Sequence, residues 1–254
     1  MNFKNTNENR KTVNLHEGHR NRIRKRLAQT EFVDADDYQT LEYILTLVIK
    51  RRDTNELAHT LINTFGSLAG VLDASIENLE GIAGISPTIA FFLHSMPFIY
   101  RNYKLSKISP KMVISTPIDA VNCIGKSFSH LNREEFYMIC LDNSNKVINH
   151  KMIAAGSINQ VSAEIADCVQ FALKSKARKV VLLHNHPSGD AYPSLQDEET
   201  TRNFLFSFES SGIELYDHVI VNYKDDYYSF AIDGKLKEYK ESYNMILSSF
   251  KTIK

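Results

Sequence analysis

Two histidines, a serine and an aspartate with chemical potential fall between Leu182 and Asp197, in the stretch His184-Asn185-His186-Pro187-Ser188-Gly189-Asp190-Ala191-Tyr192-Pro193-Ser194-Leu195-Gln196-Asp197. His184 and His186 end the apolar run Val180-Val181-Leu182-Leu183, which reads as a short strand. Residues two apart on a strand face the same side, so both imidazoles point one way. Converging at that spacing, they can share one zinc at about 2.0–2.1 Å each. Pro187, Gly189 and Pro193 favour a turn that returns the next helix, starting at Ser194, to the strand end. Asp197 lies in the first turn of that helix and is placed to supply a third ligand. Three protein ligands leave the fourth tetrahedral position to water, as in catalytic rather than structural zinc sites. Such a water has a pKa near about 7, and moving its proton still takes a base. The candidate is Glu134, at the head of the run Glu134-Glu135-Phe136-Tyr137, where a carboxylate entering an apolar strand needs a partner. Glu135 is the alternative, because strand neighbours face opposite sides and only one reaches the metal.

The elements that must hold these groups divide into two kinds. Residues 1–15 are polar and read as a frayed tail, and residues 16–103 read as short helices. A basic helix begins near Gly18. A second carries Leu41, Ile44, Leu45 and Val48 at helical spacing, and a third runs from about Asp53 to Phe65 and stops at Gly66. From Val71 to Ile99 the pattern is helix, tight turn, helix. Residues 104–115 read as a linker, and residues 116–254 mix strands with helices. Thr116-Pro117 opens a helix to about Ser129. Phe136 to Leu141 is a buried strand, Asp142 to Asn145 a hairpin turn, and Val147 to Ala155 the return strand. An amphipathic helix from Ser162 to Ala177 precedes the His184 strand. A helix from Ser194, strands near Val219-Ile220-Val221 and Tyr227 to Phe230, and a final helix complete an α/β (α+β) domain.

Composition excludes several classes. Of 254 residues, 43% are hydrophobic and 24% charged, which fits a globular chain and neither a disordered nor a collagen-like one. No apolar run reaches the roughly 18–20 residues of a membrane span. The opening MNFKNTNENRK has no apolar stretch of a signal peptide, so a cytoplasmic setting is expected. Cys123, Cys140 and Cys168 have no CxxC spacing, which argues against a disulfide framework or a cysteine-based zinc ribbon. The formal net charge of zero conceals a basic head: residues 1–30 carry eight basic and two acidic side chains, residues 31–110 six against ten, and residues 111–254 sixteen against eighteen. A local anion contact is expected at the head, not a coat for nucleic acid.

That head carries Arg20, Arg22, Arg24, Lys25 and Arg26, which spread around a helix and could contact DNA backbone or simply be solvated. The segment Leu79-Glu80-Gly81-Ile82-Ala83-Gly84-Ile85-Ser86-Pro87 resembles a helix-hairpin-helix, in which backbone N–H groups at a turn such as Gly84 meet a phosphate. Ser86 stands where the second glycine of that motif would be, and Thr88 and Ile89 bring no cation, so packing alone is the competing account. Around the strand-end site, Asp190 and Glu198 read as solvated, Asn185 as structural, and His218 either as a hydrogen-bonding neighbour of the site or as a strand histidine satisfied by backbone. Ser194-x-x-Asp197 is also a helix-capping pattern in its own right.

His-x-His, seven residues, Ser, two residues, Asp, with an upstream Glu opening a strand, resembles the JAB/MPN (JAMM) metalloprotease motif. Within that group, HNHPSGD followed by PSxxD, and later Asp217-His218-Val219-Ile220, is similar to the RadC family, as are Gly18-His19-Arg20 and Phe65-Gly66-Ser67-Leu68 in the head. The resemblance implies a JAB/MPN-like mixed sheet with flanking helices behind the small helical domain. It implies one zinc per chain on His184, His186 and Asp197, Glu134 rather than Glu135 as general acid/base, and the Ser194 hydroxyl steadying a tetrahedral oxyanion. The expected reaction is water attack on a peptide or isopeptide carbonyl, with a peptide or protein as substrate. The family's DNA-repair label implies an alternative, a DNA-associated protein that could bind DNA through the head and whose metal domain is structural or regulatory. No feature of the sequence identifies the substrate or the oligomeric state.

Overall fold

The computed structural model describes residues 15–251 except 51, 110, 111, 130, 157–163, 188 and 225, so the expected polar tail at 1–15 lies almost wholly outside the described residues. The chain forms two compact units that divide between Pro97 and Phe98. Among the described residues, no helix is long and apolar enough to cross a membrane.

The first unit is helical: α1 (Leu15–Thr30), α2 (Asp37–Val48), α3 (Asn55–Phe65), α4 (Leu68–Asp73), α5 (Ile76–Glu80) and the start of α6 (Pro87–Ser106). Its core joins Leu41, Ile44 and Leu45 of α2, whose spacing predicts that helix, to Leu57 and Leu61 of α3, Val71, Leu79 and Leu93. Gly66 ends α3 at φ +84°, a left-handed value that favours glycine, and its N–H donates to the Ile62 carbonyl at 2.7 Å. Ser67 and Ser75 cap the next two helices by accepting from the Gly70 and Asn78 N–H groups. On α1, Ile23 and Leu27 are buried while Arg22, Arg24, Lys25 and Arg26 are exposed. Helix α6 runs on to Ser106, so the first residues of the 104–115 stretch are helical.

The second unit is built on five strands: β1 (Glu135–Leu141), β2 (Val147–Ala155), β3 (Lys179–His186), β4 (Glu214–Asn222) and β5 (Tyr227–Ser229), in the order β2-β1-β3-β4-β5. Only β3 and β4 are parallel, so the sheet is mixed. Its helices are α7 (Pro117–Cys123), α8 (Ile165–Lys174), α9 (Leu195–Ser210) and α10 (Lys235–Lys251). Helix α7 stops short of the expected Ser129, and the chain passes through Gly125, where a Cβ would stand 3.4 Å from Val121 and Val221 side chains. One sheet face packs Phe136, Val180, Leu182 and Ile220 against Cys168, Phe204, Phe208 and Leu236 of the three later helices. The other packs Tyr137, Ile139, Val181, Leu183 and Val219 against Val121, Ile124 and Phe128. Central β1 is buried along its whole length, which is why it reads as a continuous apolar run and not an alternating one.

Helix α9 is the crossover from β3 to its parallel partner β4, so its N-terminus returns to the carboxyl end of β3. Phe136 pairs with both Ala154 and His184, and His184 with Ile220. The start of β1, the end of β3 and the upper part of β4 thus share one end of the sheet.

Candidate metal centre

His184 and His186 extend from one face at the end of β3, and their Nε2 atoms lie 3.0 Å apart. Asp197, third residue of α9, brings its Oδ1 to 3.1 Å from His184 Nε2 and its Oδ2 to 3.4 Å from His186 Nε2. His184 and Asp197 are buried, and His186 is partly open to solvent. Among the described residues these three form a group of side chains able to hold a metal ion.

The helix start explains how Asp197 is aimed. Ser194 is the N-cap: its hydroxyl accepts from the Asp197 N–H at 3.2 Å, and its N–H and hydroxyl both donate to Asp197 Oδ2 at 2.7 Å. That capping box occupies Oδ2 and leaves Oδ1 buried without a hydrogen-bond partner. An orphaned carboxylate oxygen beside two ring nitrogens is the arrangement a cation resolves. Ligands about 2.0–2.1 Å from one tetrahedral zinc lie roughly 3.3 Å apart, and the His184 Nε2–His186 Nε2 and His184 Nε2–Asp197 Oδ1 separations of 3.0 and 3.1 Å are close to that spacing.

Without the ion, the cluster divides its charge. Burial lowers the pKa of His184 and leaves it neutral. Burial also works against a charged His186, but its hydrogen bonds to Asp197 and the Asp190 carbonyl outweigh this and raise its pKa. Burial of Asp197 favours the acid form. The two histidines and Ser194 together override it and hold the carboxyl far below the usual range.

The adjacent glutamates separate cleanly. Strand β1 begins at Glu135, and it is Glu135, not Glu134, whose side chain enters the apolar interior. Its partners are Arg101 at 2.5 Å, Arg133 at 2.7 Å and the Tyr137 hydroxyl at 2.9 Å, so the burial cost expected at Glu134 falls on its neighbour and is met by cations. Glu134 lies one residue before the strand and is half-buried, and its charge favours the protonated form of both His184 and His186.

Asn185, read from the sequence as structural, has that role. Between the two histidines and pointing to the opposite face, it accepts the Glu135 N–H at 2.7 Å and donates to the Arg133 carbonyl at 3.0 Å. The backbone on both sides of Glu134 is therefore tied to the histidine strand. His218 of β4 is no bystander either, since its Nε2 lies 2.9 Å from His184 Nδ1. Thr201, which sequence reasoning missed, lies 2.6 Å from His218 Nδ1. Its one sequence signal is its place four residues after Asp197, on the same helix face. Glu198 pairs with Lys235 and takes no part in the cluster, and Asp190 meets it only through its backbone carbonyl. All three cysteines are free and buried, their thiols pushed up to about 12 by burial.

In the first unit, Arg20 donates to the Lys50 and Arg52 carbonyls and Arg26 to Gln39, while Arg22, Arg24 and Lys25 are exposed. Gly84 adopts φ +96° in the hairpin turn, and a cation does reach it: the Arg52 guanidinium lies 2.8 Å from where a Gly84 Cβ would stand.

A mixed sheet with His-x-His at a strand end, and an aspartate on the crossover helix that follows, defines a metal-site domain of the JAB kind. The family model of the RadC-like JAB domain matches residues 114–235, a span that contains the whole cluster, so this part of the chain is a RadC-like JAB domain.

Proposed function

We infer that the chain is a zinc-dependent hydrolase of the JAMM type that cleaves a peptide or isopeptide bond. One observation carries the reading: two imidazole nitrogens and a buried, unpartnered carboxylate oxygen come together at the end of β3. His184, His186 and Asp197 would hold a zinc, which would supply a Lewis acid and an activated water. Glu134, half-open to solvent one residue before β1, would serve as the general base and then the general acid. Asn185 holds the backbone on which Glu134 rides. The exposed Ser194 hydroxyl, which donates to Asp197 Oδ2, would be available to a developing oxyanion. A cytoplasmic setting fits three unpaired cysteines.

The test combines metal analysis with cleavage of a peptide library by the wild type, Glu134→Gln and His186→Ala. The expected result is one zinc per chain in the first two. Turnover should fall about 10²–10⁴-fold in Glu134→Gln, and His186→Ala should lose zinc. Full zinc in wild type and Glu134→Gln with cleavage by neither sinks the hydrolase reading.

The Arg52–Gly84 contact favours a second reading, a DNA-associated protein whose metal domain is structural or regulatory. Branched and single-stranded DNA belong in the same experiment at low and moderate salt. Phosphate contacts through Arg22, Arg24, Lys25 and Arg52 release counterions, so binding insensitive to salt counts against them.

A further inference from the structure

The hydrogen-bond chain behind His184 has a direction, and one contact sets it. Thr201 Oγ1 lies 2.5 Å from the Asp197 backbone carbonyl. A carbonyl has no proton, so at this distance the threonine hydroxyl must donate, and its single proton is committed there. Thr201 Oγ1 also lies 2.6 Å from His218 Nδ1, so it must accept on that side and His218 Nδ1 must carry a proton. His218 is wholly buried, with Phe230 stacked on its ring at 5.0 Å and 7° and Phe136 beside it, an apolar setting that favours the neutral imidazole. Its one proton being on Nδ1, its Nε2 is a bare acceptor. The contact of 2.9 Å to His184 Nδ1 then requires the proton on His184 Nδ1, which leaves His184 Nε2 bare and aimed at Asp197 Oδ1.

We propose that Thr201 and His218 are positioning residues that hold His184 in the one neutral tautomer able to take a metal on Nε2. The chain starts on the Asp197 carbonyl and ends on the ring facing the Asp197 carboxylate, so one ligand's backbone sets the proton position of the other. Reversal is the failure state. If the threonine proton turned to His218, protons would shift along the series, His184 would carry hydrogen on Nε2, and the ligand would be blocked. A histidine ligand's second nitrogen usually donates to a carboxylate or backbone carbonyl, which cannot reverse. Here the acceptor is another imidazole, which can, so the locking threonine is needed.

The proposal rests on the zinc reading, and the experiment separates the two. Long-range ¹H–¹⁵N correlation spectra of the metal-free full chain, taken above the histidine titrations, report which nitrogen of His184 carries hydrogen. Competition with a chelator reports zinc affinity. The expected wild-type spectrum shows hydrogen on His184 Nδ1 and His218 Nδ1. In Thr201→Val the lock is lost: a mixture of His184 tautomers appears and zinc affinity falls about 10–100-fold. Thr201→Ser restores both. Hydrogen on Nε2 of His184 in the wild type overturns the proposal, and needs no variant to fold. So does a folded Thr201→Val with unchanged tautomer and affinity, or a Thr201→Ser as weak as Thr201→Val. A wild type that takes no zinc defeats the metal reading alone, because the tautomer is read on the metal-free chain.

Discussion

Glu135 and Asp197 are both almost wholly buried, at 0% and 1% exposure, and either would be costly without partners, yet their surroundings differ in kind. Every group around Glu135 is a proton donor: Arg101, Arg133 and the Tyr137 hydroxyl reach its two oxygens, and the Phe98 ring packs under both guanidiniums at 5.5 and 4.7 Å. Around Asp197, Ser194 donates to one oxygen while the other faces His184 with no donor. In the first cluster both carboxylate oxygens have donors, and the buried atom left over is itself a donor, Arg101 Nε. In the second, the buried oxygen left over is an acceptor, Asp197 Oδ1, which an added cation would match. Burial of a carboxylate therefore does not mark a site, whereas burial with an unmatched acceptor does.

The strongest way to break the comparison is Glu135→Ala. It strands Arg101, whose side chain is only 13% exposed, and removing one member of a buried ion pair costs about 3–5 kcal/mol. Urea unfolding of the metal-free chain measures it. A loss below about 1 kcal/mol, the range of exposed pairs, would show that the cluster is not the closed unit described.

The open cluster should instead reveal itself through pH. The pKa of His186 is raised in the folded chain above its ordinary 6.5. Its stabilising contribution to the metal-free protein is thus fully present below about 6.5 and is lost as pH rises through the folded value. Zinc needs the bare nitrogen, so below that folded value its affinity falls about tenfold per pH unit, one proton being displaced. Melting curves with and without zinc across this window should show the metal-free curve losing stability with rising pH while the zinc increment grows. An increment that ignores pH would mean that His186 is not a ligand.

How much of this the sequence discloses follows from how far apart the partners lie. His184, His186 and Asp197 are legible because two short-range rules place them, the two-residue alternation of a strand and the first turn of a helix. The β1–β2 hairpin is legible for the same reason, with Asp142 accepting the Ser144 and Lys146 N–H groups within its own turn. Which of Glu134 and Glu135 turns inward is not local. It depends on Arg101, on a helix thirty-four positions upstream, and on Asn185, fifty positions downstream. The Thr201–His218 contact likewise exists only because α9 returns over the strand beside β3. Helix α7 is overestimated because capping marks where a helix begins, while its end is set by the approach of Gly125 to the sheet.

Ser194 is where the two kinds of carboxylate come closest, since it gives Asp197 the one set of donors it has. Ser194→Ala removes the N-cap hydroxyl and should lower stability by about 1 kcal/mol, whereas Ser194→Gly should cost only a few tenths, because glycine leaves the capping backbone hydrated and unstrained. Both remove the same hydroxyl from Asp197 Oδ2 and from any reacting oxygen. Stability and turnover measured on the pair therefore separate the two roles. Unequal losses of stability beside equal losses of turnover assign the hydroxyl to the reacting oxygen as well as the cap. Turnover that tracks stability leaves it a cap alone, and Asp197 would then be oriented by Ser194 in the way Glu135 is held by its arginines, through structure only.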